Sequence, residues 1–471
     1  MSGEKKDKCG VFGIWGPSDS AVQAYFALFA QQHRGQESAG IVVSDGETLQ
    51  SHVGMGLVSE VFTSRILNEL EGHAAIGHNR YSTTGSSRLG NCQPLLQEFA
   101  GGQVAIGHNG NLVNASVLRR MFEDRGHIFH TTTDTEVIFH LLAAPNHTSK
   151  PDPLAASLQH LQGAYSLVVM HNDRIEAARD PWGFRPLVLG ETQDGHPCVA
   201  SESVALDAIG ARTVREVKPG EIVTLSDKGV SSRHFIDPQP PAHCVFEHVY
   251  FANPSSKIFG DTVQIVREKL GEQMAKEAPV DADFVMPMPD SGRSAAMGYA
   301  REAKLPLREG IVPNRYVGRT FIQPTQAQRN QAVQLKLNVV GEIVDGQRII
   351  VVDDSIVRGT TTRGKIAQLR RAGAKEIHFR ISCPPIRHGC YFGVDFPDES
   401  QLIANNRTVE QICEFLGVDS LHFLSLEGML SCVSLPPESY CTACYSGKYR
   451  LDVSNPIRKL DLERHQQKLF T

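Results

Sequence analysis

Between residues 348 and 364 the chain reads RIIVVDDSIVRGTTTRG. An apolar run ends at two adjacent carboxylates, Asp353 and Asp354, and a loop of small residues, Ser355 to Thr362, then opens a helix. The neighbouring segments repeat the alternation. DFVMPMP reads as a short strand, SGRSAAMGYAREA as a helix, TTRGKIAQLRRAGA as a helix and EIHFRISCPP as a strand. Strands that alternate with helices in this way predict a parallel sheet with helices on its faces. In such sheets ligands bind beyond the carboxyl ends of the strands. Backbone N–H groups of a tight turn at a helix N-terminus make an anion cradle there. Carboxylates beside a cradle would repel a bare phosphate, so they suit sugar hydroxyls or a divalent cation. The competing reading is a solvated acidic turn before a capped helix.

Two further stretches of the second half fit a phosphate site. VMPMPDSGRSAAMGYA (285–300) has the same strand–turn–helix form. The segment NRYVGRTFIQPTQAQRNQAVQLKLN (314–338) is basic, Gln-rich and free of acidic residues. It reads as a lid that meets phosphates when closed, or else as an ordinary polar loop.

The first half is different. From residue 10 to about 235, short β-rich runs (VFGIWG, SAGIVVSDG, AAIGHNRY, QVAIGHNG, YSLVVMH, PLVLG, EIVTLSD) are separated by Gly, Asn, Asp and Ser, which predicts antiparallel sheet. AVQAYFALFAQQH and DTEVIFHLLAA carry helical spacing behind capping residues. Two sheets with helices packed on them are expected. AIGHNRY (75–81) and AIGHNGN (105–111) echo one another, either by coincidence or because both present polar groups at one sheet end. The proline-rich stretch FIDPQPPAHC (235–244) marks the boundary between the halves.

With 471 residues the chain is long enough for two or three cores. A net charge of −5 argues against bulk affinity for nucleic acid. No apolar stretch approaches the ~18 residues of a membrane span, and the leader MSGEKKDK lacks the apolar region of a secretory signal. A cytoplasmic protein is expected, and its ten cysteines then read as thiols or metal ligands. Cys9 follows the leader directly, and it could be a core thiol, a metal ligand or a nucleophile. Cys441 and Cys444 form a C-x-x-C pair, which suits a metal or a redox dithiol.

VVDDSIVRGTT resembles the phosphoribosyl pyrophosphate (PRPP) signature of type I phosphoribosyltransferases. That resemblance implies that Asp353 and Asp354 meet the ribose hydroxyls and Mg²⁺. Arg358, Gly359, Thr360 and Thr361 would cradle the 5′-phosphate, and Ser355 would also belong to the PRPP site. Asp290, Ser291 and Gly292 would form the pyrophosphate loop, with Ser291 on the Mg²⁺ side. Arg319 and Lys336, in the basic segment, would reach the pyrophosphate.

The first half resembles class II glutamine amidotransferase domains, through CGVFGIWG at Cys9, QQHRGQESAGI (31–41), HNRYSTTG (78–85), GHNGNLVN (107–114) and TTTDTEV (131–137). In that family the nucleophile is an N-terminal cysteine. A thiol with pKa near ~8.5 needs a base, and a free α-amine titrating near ~7.7–8 on the same residue supplies one. The resemblance therefore implies that residues 1–8 are a propeptide cut at Lys8–Cys9. It places Asn109 and the Gly110 N–H in an oxyanion hole. Arg34, Arg80 and Asp134 would hold glutamine, with Asn109 assisting.

Together the halves resemble the amidophosphoribosyltransferase family in its iron–sulfur branch. The fold implied is an α+β N-terminal nucleophile glutaminase domain, an αββα sandwich over 9–240. An α/β phosphoribosyltransferase domain with a parallel sheet follows over 241–450, then a helical tail over 451–471 lying on the surface. The activity implied is glutamine hydrolysis, with ammonia channelled to PRPP to give 5-phosphoribosylamine at the start of purine synthesis. Cys244, Cys390, Cys441 and Cys444 match the ligands of a 4Fe–4S cluster. Cys383, Cys92, Cys198, Cys413 and Cys432 read as packing thiols. Inhibition by purine nucleotides and a homotetramer or homodimer are also implied, with no nucleic-acid or membrane partner. Two other functions compete: an amidotransferase with a different acceptor, and a PRPP-sensing DNA-binding regulator. The PRPP signature counts against the first, and the acidic balance and intact glutaminase motifs count against the second.

Overall fold

The structure, a computed structural model, describes residues 9–81, 85–313, 337–396, 398–453 and 462–463. The leader, Arg319 and Lys336 lie outside the described residues.

The first half is built on two antiparallel sheets. Across one, the order is Arg212–Glu216, Val188–Glu191, Pro197–Ala200, Gly10–Trp15, Ala74–Arg80, Ser38–Ser44 and Leu49–Met55. Across the other it is Gly229–His234, Glu221–Ser226, Arg174–Arg179, Gly163–His171, Gly102–Leu112 and Leu95–Phe99. Side chains along a strand alternate between faces, and Gly10–Trp15 uses both. Val11 and Trp15 enter the layer between the sheets with Val42, Ile76, Val168 and Val223. Phe12 and Ile14 face the other way, under Ala24 and Leu28 of the helix Ser20–Ala30. Beyond the second sheet, Leu118 and Phe122 of one helix and Val137 and Leu141 of the next pack on Ile106, Leu167 and Val169. The result is the expected αββα sandwich.

The second half holds a parallel sheet in the order Phe284–Pro287, Arg348–Asp353, Glu376–Ile381 and Ser420–Phe423. Ile349, Val351, Ile377 and Phe379 are fully buried in a core shared with the helices Val263–Glu277, Arg293–Ala303 and Thr360–Arg371. All four strands run the same way, so Pro287 and Asp353 end at one edge. Among the described residues no helix is long and apolar enough to cross a membrane.

Of the tail, the structure describes a helical pair at Leu462 and Glu463. These two residues lie against the first half of the chain. Leu462 is buried, and Glu463 accepts hydrogen bonds from the Ser86 N–H at 2.6 Å and the Thr132 hydroxyl at 3.3 Å.

Candidate active sites

The two echoing segments lie on opposite sheets and face each other at one end of the sandwich. Ala74–Arg80 ends in Arg80, and Gly102–Leu112 carries Asn109 and Gly110. The rows are joined directly, since the His78 Nε2 lies 2.9 Å from the His108 carbonyl. Cys9 sits at this end, immediately before the strand Gly10–Trp15, whose Gly10 pairs with Asn79. Its thiol donates to the Tyr81 carbonyl at 3.4 Å. Asn109 donates to the Ser201 hydroxyl at 3.3 Å, and that hydroxyl accepts the Val11 N–H at 3.0 Å. Asp134 accepts the Leu112 N–H at 2.9 Å and lies 3.7 Å from the His108 ring. Arg80 is buried and paired with Glu37. Thiol, amide, guanidinium and carboxylate thus converge within one polar end. Burial pushes the Cys9 thiol up to about 11, with the Arg80 charge pulling weakly the other way. A thiol so placed is inert near neutral pH without a local base.

Arg34 departs from expectation. The resemblance puts it in the glutamine site, yet its guanidinium is taken up by protein groups. It donates from Nε to the Cys9 carbonyl at 2.9 Å, to Glu202, and through both terminal nitrogens to Glu247 at 3.0 and 3.1 Å. Its side chain is fully buried with both carboxylates. A guanidinium committed to this many partners in a dry interior holds the Cys9 backbone and has no fork left for a substrate carboxylate. Ser201, Glu202 and Glu247 carried no local signal in the sequence, and Glu37 lies within QQHRGQESAGI without being singled out there. Glu202 and Glu247 lie 168 and 213 residues from Arg34.

At the edge of the parallel sheet, Asp353 ends its strand and accepts the Asp354 N–H at 2.9 Å and the Ser291 hydroxyl at 3.4 Å. Ser355 donates to Asp354 at 2.7 Å. Ser291 comes from the turn after Phe284–Pro287, beside exposed Asp290, which pairs with Arg293 at 3.4 Å. A Cβ on Gly292 would stand 2.2 Å from the Val352 carbonyl, so this turn reaches Asp353 only with glycine there. Gly359 starts the helix Thr360–Arg371 with φ +75°, the left-handed conformation glycine adopts freely. Thr360 and Thr361 then open the first turn of that helix. Arg358 donates to Gln401 at 2.6 Å. Two carboxylates, two serine hydroxyls and a helix N-terminus therefore meet at one sheet edge. Asp354 also lies within charge range of buried Arg267.

The four cysteines of the expected cluster come from three parts of the chain. Cys244 and Cys441 are paired in adjacent parallel strands. The Cys444 carbonyl accepts from the Arg387 and His388 N–H groups, and the Cys390 sulfur accepts the Phe392 N–H at 3.4 Å. Burial raises all four thiol pKa values, that of Cys441 to about 12, and the Cys441 and Cys444 thiols are raised further by charge on the other thiols of the set. Arg185, fully buried, offsets part of this. Among the described residues no group of three or more His, Cys, Asp or Glu is arranged to hold a metal ion. A cluster takes its thiolates on separate iron atoms, so its cysteines stand further apart than the ligands of one tetrahedral ion. One buried and three half-buried cysteines beside a buried guanidinium fit such a group.

Comparison with known proteins matches both halves. A glutamine amidotransferase domain family covers residues 78–208, and a phosphoribosyl transferase domain family covers 260–398. The chain is 47% identical to an amidophosphoribosyltransferase of Methanothermobacter thermautotrophicus, over 98% of each chain. It is 45% identical to one from Bacillus subtilis, over 95% of each. A solved structure described as glutamine PRPP amidotransferase from B. subtilis, complexed with ADP and GMP, superposes with a TM-score of 0.90. It shows 44% identity and covers 96% of this chain and 99% of that one. A second, described as the allosteric regulatory enzyme of purine biosynthesis, gives 0.91 at 44% identity, over 96% of this chain and 98% of that one.

Proposed function

The chain belongs to the amidophosphoribosyltransferase family, glutamine-dependent enzymes of the first step of purine synthesis, and we propose that it divides the reaction between Cys9 and the Asp353–Thr361 loop. The observation that carries this reading is the convergence of Cys9, Arg80, Asn109 and Asp134 at one end of the sandwich.

At the first site the Cys9 sulfur attacks the glutamine side-chain amide, and ammonia leaves as the thioester forms. Water then releases glutamate. Asn109 and the Gly110 N–H stabilise the oxyanion. Asp134 takes the α-amine and Arg80 the α-carboxylate. The proton acceptor is the Cys9 α-amine, which exists only once residues 1–8 are removed. While that nitrogen is an amide it has no basicity, and the thiol stays near its buried value of about 11. Full-length protein is therefore expected to react with iodoacetamide at Cys9 at least about tenfold more slowly at pH 8 than protein beginning at residue 9. Its rate should climb about tenfold per pH unit towards 11. Equal rates for the two forms at pH 8, read by mass spectrometry, would remove the need for a propeptide.

At the second site ammonia attacks C1 of PRPP and pyrophosphate leaves. Asp353 and Asp354 orient the ribose, and the turn at Asp290–Gly292 receives the pyrophosphate. The N–H groups at Gly359–Thr361 hold the 5′-phosphate, with Ser355 and Arg358 beside them. Mg²⁺ held at Ser291, Asp353 and Asp354 would neutralise pyrophosphate charge as the bond to C1 breaks. Arg319 and Lys336 belong to the lid in this reading. Because the lid is what joins the sites, glutamine hydrolysis depends on PRPP. Glutamine, PRPP and Mg²⁺ together should release glutamate and pyrophosphate, and omitting PRPP should suppress glutamate. Undiminished glutamate without PRPP would reject the coupling, and absence of pyrophosphate would reject PRPP as acceptor.

Cys244, Cys390, Cys441 and Cys444 hold a 4Fe–4S cluster in this reading. When bound, it ties the interdomain linker, the sheet and the C-terminal segment together. Protein purified without oxygen should contain iron and acid-labile sulfide in equal amounts, and zinc alone would overturn the assignment. Purine nucleotides inhibit by placing a 5′-phosphate at Thr360 and Thr361, in a cytoplasmic homotetramer or homodimer.

A further inference from the structure

The glutaminase nucleophile is held in part from the other half of the protein. Glu247 lies beyond the proline-rich boundary, at the start of a π-helical turn spanning Glu247–Phe251. It is fully buried. Its Oε1 accepts from Arg34 at 3.0 Å and from Arg185 at 3.3 Å, and its Oε2 accepts from Arg34 at 3.1 Å. The same Arg34 donates from Nε to the Cys9 carbonyl at 2.9 Å. The turn that carries Glu247 is itself fixed. Arg267, on the helix Val263–Glu277, donates to the His248 carbonyl at 2.7 Å and the Ala252 carbonyl at 2.8 Å, near its two ends.

We infer that Glu247 is a positioning residue for the Cys9 reaction: from across the domain boundary it sets the Arg34 guanidinium in the orientation that holds the Cys9 carbonyl. The inference rests on Cys9 being the nucleophile. The geometry asks for a carboxylate at 247. Arg34 and Arg185 together aim donors at both of its oxygens, Oε1 receiving one from each and Oε2 a second from Arg34, and only a group that accepts on both atoms answers all of them. An amide in its place turns its NH₂ on one guanidinium and leaves two cations facing each other with one negative charge fewer. Arg34 then leans on Glu202, its other carboxylate, and draws its Nε away from Cys9. Glutamine is held by other groups, Arg80 and Asp134, so the defect belongs to turnover and leaves binding alone. A misplacement of about 1 Å at a reacting group costs about 10²-fold in rate.

The test uses enzyme processed to begin at residue 9 and carrying Glu247→Gln or Glu247→Asp, compared with Cys9→Ala beginning at the same residue. Glu247→Gln should lower glutamine-dependent kcat at least about tenfold, with glutamine KM within about twofold of the parent. Ammonia-dependent synthesis, which bypasses Cys9, should stay within about twofold. Glu247→Asp should recover part of the loss because it restores the charge. Unchanged kcat in Glu247→Gln overturns the inference. So does a rise in KM at constant kcat, or an equal fall in the ammonia-dependent rate. If Glu247→Gln does not fold, Arg34→Lys reads the same contact from its other side. It keeps a cation for Glu247 but loses the Nε bond to Cys9, and an unchanged kcat there overturns the inference. Glutaminase activity surviving in Cys9→Ala refutes the nucleophile itself, whereas activity lost in Cys9→Ala and intact in Glu247→Gln refutes only the role of Glu247.

Discussion

Cys9→Ala is expected to lower glutamine-dependent synthesis by at least about 10³-fold while leaving ammonia-dependent synthesis within about twofold of the parent. The size of the loss follows from removing a nucleophile for which nothing nearby substitutes; in comparable acyl-transfer sites such removals cost many orders of magnitude. The selectivity follows from the architecture. Cys9 belongs to a sandwich with its own cores, and Asp353 and Asp354 stand at the end of a separate parallel sheet. Alanine removes one sulfur from a nearly buried position, so the change in stability is about 1 kcal/mol, too small to unfold the domain. Both rates are measured on the same preparation, by glutamate release and by pyrophosphate release. If the ammonia-dependent rate falls in parallel, the two sites are not the separable units described above.

The strand–loop–helix unit at Asp353 was legible in the sequence because its parts are contiguous. A strand, two carboxylates, a glycine and a helix start fall within Arg348–Arg371, and a local pattern is enough to read them. The two sheets were legible for a similar reason, as alternation and turn residues act over a few positions. The echo of AIGHN was visible, but its meaning was not, since the contact between His78 and the His108 carbonyl depends on stacking two sheets. Arg34 shows the limit most clearly. Its residue type suits a substrate carboxylate, and its motif lies beside the nucleophile. Its orientation is nevertheless decided by Glu202 and Glu247, which fold against it from far along the chain. No spacing rule reaches that distance. Cys244 and Cys441 are likewise joined by strand pairing alone.

Asp353→Asn tests the second site with a change that preserves shape. Asp353 uses Oδ1 to accept from the Asp354 N–H and the Ser291 hydroxyl, and the carbonyl oxygen of asparagine can accept both. The turn and the strand end should therefore persist, and the variant loses mainly the charge. That charge is what a ribose hydroxyl or a divalent cation would use, so both glutamine-dependent and ammonia-dependent synthesis should fall by about 10²-fold or more. A fall of that size corresponds to about 2.7 kcal/mol of lost transition-state stabilisation. Because the strand keeps its bonds, the thermal midpoint should move by no more than about 4 °C. Iodoacetamide should still modify Cys9 at the parent rate when PRPP is absent. This pattern is the reverse of Cys9→Ala, where one nitrogen source fails and the other survives. If ammonia-dependent synthesis survives in Asp353→Asn, the carboxylate does not face the sugar. The acidic pair, buried as it is, would then serve only to receive the N–H and hydroxyl groups of its own turn.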